Sequence, residues 1–297
     1  MKKMIVTAAL AITSLSLFAQ GSDQLVSKKG EQYLPEAGDW AISFSATPIL
    51  QYVGNMFSGA TATNVAPAAN FLNANQTIIG KYFVDNQTAY RGLLRIGINS
   101  MGQDNIVAQD GSTTGGTVTD HASWAQHFVG LGAGIEKRRG KTRLQGYYGA
   151  EFMFFLAGTS NTYTYGNAYN STYQAPTSTT WGNVAGGNQN NITATGSAPA
   201  ASRILTNTQG GTFGISLQGF IGVEYFILPK ISLGAEYTWG INFQSTAQGS
   251  MSVEAANGTS STTTTTNTGG ASMFSLDSGI NTVWGGSNAN LYLTFHF

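Results

Sequence analysis

Along much of this chain, apolar and polar side chains take turns. At the carboxyl end Leu291, Leu293, Phe295 and Phe297 fall on one side of an extended backbone, and Asn290, Tyr292, Thr294 and His296 fall on the other. A period of two marks a strand with one apolar and one polar face. The pattern recurs in Asp39–Ala46, where Trp40, Ile42 and Phe44 form the apolar phase, and in Gln76–Val84, Thr88–Asn99, Trp124–Glu136, Thr142–Leu156, Gly211–Ile227 and Lys230–Gln244. Eight antiparallel strands are therefore predicted. Their connections alternate in length: 85–87, 138–141 and 228–229 are short, whereas 54–75, 101–121, 158–209 and 245–286 are long and rich in Thr, Asn, Gly and Ser. Within the last of these, Ser272–Leu276 is a candidate continuation of the wall.

Placing every long loop at one end has no rationale in a soluble sandwich, but it is how barrels that cross a membrane are built. Such strands need ~9–11 residues, and a sheet in lipid must close because lipid cannot satisfy a free edge. The expected fold is all-β: an eight-stranded antiparallel transmembrane β-barrel spanning 39–297, with short periplasmic turns and four long extracellular loops. Pairing of the first strand with Leu291–Phe297 closes it. The opposite phase would give a soluble, lipocalin-like barrel with aliphatic residues inside. Against that, charged residues make up only 9% of the chain, well under the ~25% usual for soluble domains, and the polar phase is mostly Gly, Ser, Thr and Gln.

With that phase inside, Lys81, Arg91, Glu136, Arg143, Glu224 and Glu236 gather near the short turns, and Arg95 and Glu151 lie deeper at matching height. An eight-stranded lumen is just wide enough for side chains to fill, and an unpaired buried charge costs several kcal/mol. An ion-pair network that plugs the lumen is expected. The competing expectation is a narrow pore for ions or small solutes, gated by Arg95 and Glu151.

Met1-Lys2-Lys3 followed by an apolar run to Phe18 reads as a signal peptide cleaved after Ala19, with residues 20–38 as a periplasmic lead. No Cys is present, which excludes a lipoprotein anchor and disulfides. The 14 basic and 14 acidic residues balance, so nothing favours nucleic acid. His296 points inward beside the closing Phe and reads as structural. His121 and His127 lie near Asp110, Asp120, Ser112 and Ser123, a composition that outer-membrane enzymes use, but adjacent Asp120 and His121 must point to opposite faces, which is poor geometry for a base and its orienter. Gly130-Leu131-Gly132-Ala133-Gly134 lacks the following helix of a phosphate loop, and its glycines are expected to make room for neighbours. No enzyme activity, cofactor or metal is expected.

The closing strand ending in Phe295 and Phe297 resembles the terminal strand of bacterial outer-membrane barrels, and Trp40–Phe297 as a whole resembles the small group that includes the OmpA membrane domain. The Ala19-Gln20 junction and the lead-in Leu34-Pro35-Glu36-Ala37-Gly38-Asp39-Trp40 resemble exported proteins of the Bacteroidetes. The resemblance implies outer-membrane localisation, contact with its lipid, and insertion by the barrel-assembly machinery, which reads the terminal Phe. It implies a structural or interaction protein, including an accessory subunit of an envelope complex, that reaches partners through its extracellular loops.

Overall fold

A computed structural model describes residues 25–46, 77–183, 192–277 and 289–297. The signal peptide, the loop at 54–75 and the stretch 278–286 lie outside the described residues. Thirteen strands are present, and no helix, among the described residues: β1 (Trp40–Ser45), β2 (Ile78–Asp85), β3 (Thr88–Ala108), β4 (Thr117–Arg139), β5 (Leu144–Thr164), β6 (Thr177–Asn183), β7 (Ile192–Pro199), β8 (Ser202–Leu228), β9 (Ile231–Thr246), β10 (Gly249–Ala256), β11 (Ser261–Thr268), β12 (Ala271–Asp277) and β13 (Ala289–His296). Eleven of them form one antiparallel sheet, and β6 and β7 form a separate hairpin.

The neighbours run β8-β5-β4-β3-β2-β1-β13-β9, and β9 pairs again with β8, so the ladder returns on itself. The seam between β1 and β13 sets Ile42 opposite Phe295 and Phe44 opposite Leu293. It is finished by Trp40 and Phe297, each of which donates its amide N–H to the other's carbonyl at 2.9 Å. The remaining strands continue these rows. β10 follows β9 along β8, while β11, β12 and β13 succeed one another along β10 and β9.

Thirteen strands stand where alternation predicts eight, and the difference lies in segments read as loops. β3 and β4 stay paired up to Ala108 and Thr117, so most of 101–121 is a ladder rather than a loop. β6 and β7 lie within 158–209 and β10 and β11 within 245–286, where β12 covers Ser272–Leu276, the stretch offered as a continuation of the wall. These additions are rich in Thr, which favours strands, and they are tied by hydroxyl pairs across neighbours: Ser160 with Thr208 at 3.2 Å, Thr212 with Thr246 at 2.9 Å, and Ser252 with Thr265 at 2.9 Å. In β11, Ser261–Thr268, neither face is apolar, so hydropathy gives no alternation to read there.

Burial alternates along the wall, inverted relative to a soluble protein. Arg91, Leu93 and Arg95 are buried on β3, whereas Tyr90, Leu94, Ile96 and Ile98 are exposed, Ile98 to 77%. The same holds for Tyr148, Phe152 and Leu156 on β5 and for Leu217, Ile221 and Val223 on β8. From Leu144 to Leu156 the outward apolar run on β5 is, at ~3.3 Å per residue and a tilt of ~40°, about 30 Å tall, matching the hydrocarbon of a bilayer.

Candidate functional site

The inward phase brings seven charged groups into one layer near the short-turn end: Lys81, Arg91, Glu136, Arg138, Glu151, Glu224 and Glu236, each no more than 5% exposed. Arg91, on β3, is the hub. Its guanidinium reaches across the lumen to Glu236 on β9, with Nη1 donating to Oε2 at 2.7 Å and Nη2 to Oε1 at 3.3 Å. Nη1 is also 3.5 Å from Glu136 Oε2, and Nε is 3.4 Å from Glu151 Oε2. The ring of Phe220 covers the guanidinium at 3.9 Å, a cation–π contact that strengthens out of water. The fork shape of Arg suits several carboxylates at once.

A second set of bonds links this hub to the end of the lumen. Glu136 takes Lys81 Nζ at 2.9 Å and Arg138 Nη1 at 2.8 Å. Arg138 Nη2 also pairs with Glu224, whose other oxygen accepts from Ser232. His296 Nε2 lies 3.1 Å from Ser232 Oγ and 3.3 Å from Glu224 Oε1. Gln218 donates to Glu151 Oε1 at 2.6 Å. The cavity within this layer, bordered by Lys81, Arg91, Glu224, Glu236 and Tyr292, is about 10 Å³, room for about one water.

Apolar side chains close the layer on both sides. Towards the short turns lie Ala41, Phe83 and Ala89, with Phe83 and Phe226 both within ring contact of His296. Above it lie Ile79, Leu93, Phe128, Met153 and Phe155, with Arg95 stacked on Phe128 at 4.3 Å. Two glycines of the β4 run make this packing fit: a Cβ at Gly132 would stand 2.8 Å from Met153 Cγ, and one at Gly134 would stand 2.6 Å from Glu151 Cβ.

Two sequence assignments differ from the geometry. Glu151, placed by sequence at the height of Arg95, meets Arg91 and Gln218 in the charged layer. Arg143 is not part of the interior network. It sits at the mouth, where Nε donates to Phe226 O at 2.8 Å, Nη2 donates to Ile227 O at 2.5 Å, and the guanidinium stacks on Tyr33 at 4.3 Å. Arg143 falls just after the turn, where backbone irregularity breaks the alternation that places the other residues. Arg138 was missed for the converse reason: 138–141 reads as a turn, yet β4 continues through Arg139 and keeps Arg138 in phase with Glu136. Phe295 and Phe297 face outward at 40% and 61% exposure, beside the β1 seam.

Both mouths are covered. At the short-turn end the lead folds on itself through the Val26–Gln32 bridge and docks through Tyr33, on Arg143, and Gly38, whose N–H donates to Phe83 O at 2.8 Å; Pro35 is buried. Leu34, Pro35 and Glu36 border a polar cavity of about 320 Å³ with Arg138 and Gln145. At the other end the β6–β7 hairpin lies across the inner faces of β3 and β4. Trp181 packs on the cluster of Met101, Ala122, Trp124 and Tyr163. Asp120, fully buried, accepts from Gly166 N at 2.8 Å, Thr179 N at 2.7 Å and Thr179 Oγ1 at 2.8 Å. Asn167 donates to Ala108 O and to Thr177 O, both at 2.8 Å, and Arg203 donates to Asn167 O at 2.8 Å while stacking on Tyr165 and Tyr169. Burial raises the Tyr165 phenol well above its ordinary pKa, against the nearby Arg203 charge that lowers it.

His121 takes the opposite face from Asp120. It points outward, with Nδ1 2.5 Å from Asp104 Oδ1. Its ring lies over Gly102 on the β3 side, away from its β5 ladder partner Thr164.

No family model matches the chain, and no curated protein matches it. Among solved structures it is similar to the outer membrane protein OprG from Pseudomonas aeruginosa, with 9% identity over 89% of this chain and 98% of that chain and a TM-score of 0.28. That score is too low to transfer strand register or residue roles.

Proposed function

We propose that this chain is an integral barrel of the bacterial outer membrane that works as a structural or interaction protein: a closed cylinder that holds a folded extracellular head up to partners, including as an accessory subunit of an envelope complex. The observation that carries this is the inverted burial. Ile, Leu, Val and aromatic side chains cover the outside of the ring formed by β1–β5, β8, β9 and β13, while Arg91, Glu136 and Glu236 fill the inside. Water offers nothing to offset so much exposed apolar surface, whereas lipid does. On this reading the ring crosses the membrane and the short turns are periplasmic. The head is the extracellular part of β3–β5 and β8, with β6, β7, β10 and β11.

The charged layer supports a plug over a pore, because the room left among its side chains is about 10 Å³. We read the chain as non-enzymatic. The Asp104–His121 pair is exposed, and its ring is turned from Thr164. Planar-bilayer recording on protein refolded into vesicles tests the plug. No steady openings are expected from the wild type or from Glu151→Gln, and ion-selective openings altered by Glu151→Gln would reject the plug in favour of a gated pore. Flotation of the same vesicles tests the membrane assignment separately. Protein left behind in the dense fraction would overturn it.

A further inference from the structure

We infer that a trough on the outer wall holds one acyl chain of a phospholipid from the periplasmic leaflet, with the lipid phosphate against Arg139. The inference rests on the membrane placement proposed above. One outward position on each of five neighbouring strands falls in a row: Arg139 opposite Gly146, Gly146 opposite Val223, Val223 opposite Ala235, and Ala235 opposite Leu291. The next row up carries Lys137, Tyr148, Ile221 and Tyr237. Missing a side chain at Gly146, and with only a methyl at Ala235, the first row is a low floor beside the tall row of Tyr148, Ile221 and Tyr237. The two rows line an open trough of about 510 Å³.

The direction of the trough matters as much as its depth. Arg139 ends β4 at the rim, and Gly146 lies just past the start of β5 at Leu144. Val223 and Ala235 lie further in from the ends of β8 at Leu228 and of β9 at Ile231. The floor therefore climbs from the periplasmic rim into the apolar belt, the course of a lipid whose headgroup stays at the interface.

Charge is placed to match. Arg139 and Lys137 are exposed on the outward face of β4, and exposed Lys141 follows in the turn. Lys137 Nζ spends one donor on Thr88 Oγ1 at 2.8 Å. Asp85, in the adjacent turn, is the nearby acid that acts on Lys137. Glu236 contributes only its backbone side, since its carboxylate is held by Arg91 inside the wall. A guanidinium fork is well shaped for phosphate.

The site is testable because it can be filled without disturbing the fold. A Cβ at Gly146 would meet only Arg139 O, at 3.8 Å, so Gly146→Leu adds bulk to the trough and not to the core. Refolded protein is exchanged from detergent with dioleoylphosphatidylglycerol or with dioleoylglycerol, which lacks the phosphate, and bound lipid is counted by native mass spectrometry. The wild type is expected to retain one phosphatidylglycerol and to retain dioleoylglycerol about ten-fold less, the size of one charge-assisted contact. Arg139→Gln is expected to lose phosphatidylglycerol about ten-fold. Gly146→Leu should lose both lipids, while Ala133→Leu, outward on β4 away from the trough, should leave retention unchanged. Equal retention in wild type and Gly146→Leu, or equal retention of the two lipids by the wild type, would overturn the site while leaving the barrel intact. Failure of the wild type to float with vesicles would instead remove the membrane reading, and the trough with it.

Discussion

The lumen and the head are both held by polar contacts, but of different kinds. In the lumen, Arg91 touches Glu236, Glu136 and Glu151, and full charges face one another with almost no water between them. In the head, one carboxylate, Asp120, gathers backbone and hydroxyl donors of Gly166 and Thr179, and Thr, Ser and Asn supply most of the rest. The lumen needs charges because its wall leaves no apolar surface to bury in the centre beyond two thin layers. The head stands above the apolar belt, so uncharged hydrogen bonds and the Trp124–Trp181 cluster suffice. A change in the lumen should therefore be global, and a change in the head local.

The largest effect follows from removing the hub. Arg91→Met leaves Glu236 and Glu151 buried beside no hub cation. Breaking a buried pair on one side typically costs about 3–5 kcal/mol. Urea unfolding of the refolded barrel, followed by tryptophan fluorescence, should show the midpoint fall and the unfolding free energy drop by that amount. The double variant Arg91→Met with Glu236→Gln should regain part of the loss, since it removes a charge the single variant strands. A midpoint unchanged by Arg91→Met would mean that water screens this layer and that lumen and head do not differ in kind.

The next effect is confined to the head. Asp120→Ala removes the acceptor for three donors at once, in a head whose loosening need not unfold the wall. The β6–β7 hairpin should loosen from β3 and β4, seen as faster hydrogen exchange at Gly166 and Thr179 and as new protease cuts in 166–176. The urea midpoint of the barrel should not move. If it does, the head and the wall unfold as one unit.

What could be read from the sequence divides along the same line. Where one face is apolar, the phase of Tyr90, Leu94 and Ile96 places Arg91 and Arg95 inside, and the phase of Tyr237 and Trp239 does the same for Glu236. The strand ends were not legible. The charges of Arg138-Arg139-Gly140-Lys141 look like a turn, although Arg138 belongs to the lumen and Arg139 to the outer surface. Which carboxylate meets which cation was hidden too, because height on a tilted wall depends on register: Arg91 reaches Glu151 and Arg95 lies against Phe128. Much of the head was invisible to hydropathy, since Thr262–Thr266 is polar on both faces and makes a strand through β-propensity and neighbours. Asp120 gave one usable signal, a lone acid opposite a His on the other face, but nothing near it in the chain marks Thr179 as its partner.

The smallest effect lies outside both regions, in the turn between β2 and β3, and it sharpens the contrast by showing what an exposed charge does here. Asp85 Oδ1 accepts from Gln87 N at 2.7 Å. That backbone bond, with lesser help from Thr88 and Lys137, holds its carboxyl below the ordinary value of 3.8 against a small opposing effect of burial. A folded-state pKa below the unfolded one stabilises the fold above the unfolded value, and the contribution disappears as pH falls through the folded value. The gap in urea midpoint between wild type and Asp85→Asn should be small at pH 7 and should close as pH falls below the ordinary carboxylate range and through the folded value. A gap that persisted there would show that the Asp85 turn acts through geometry alone.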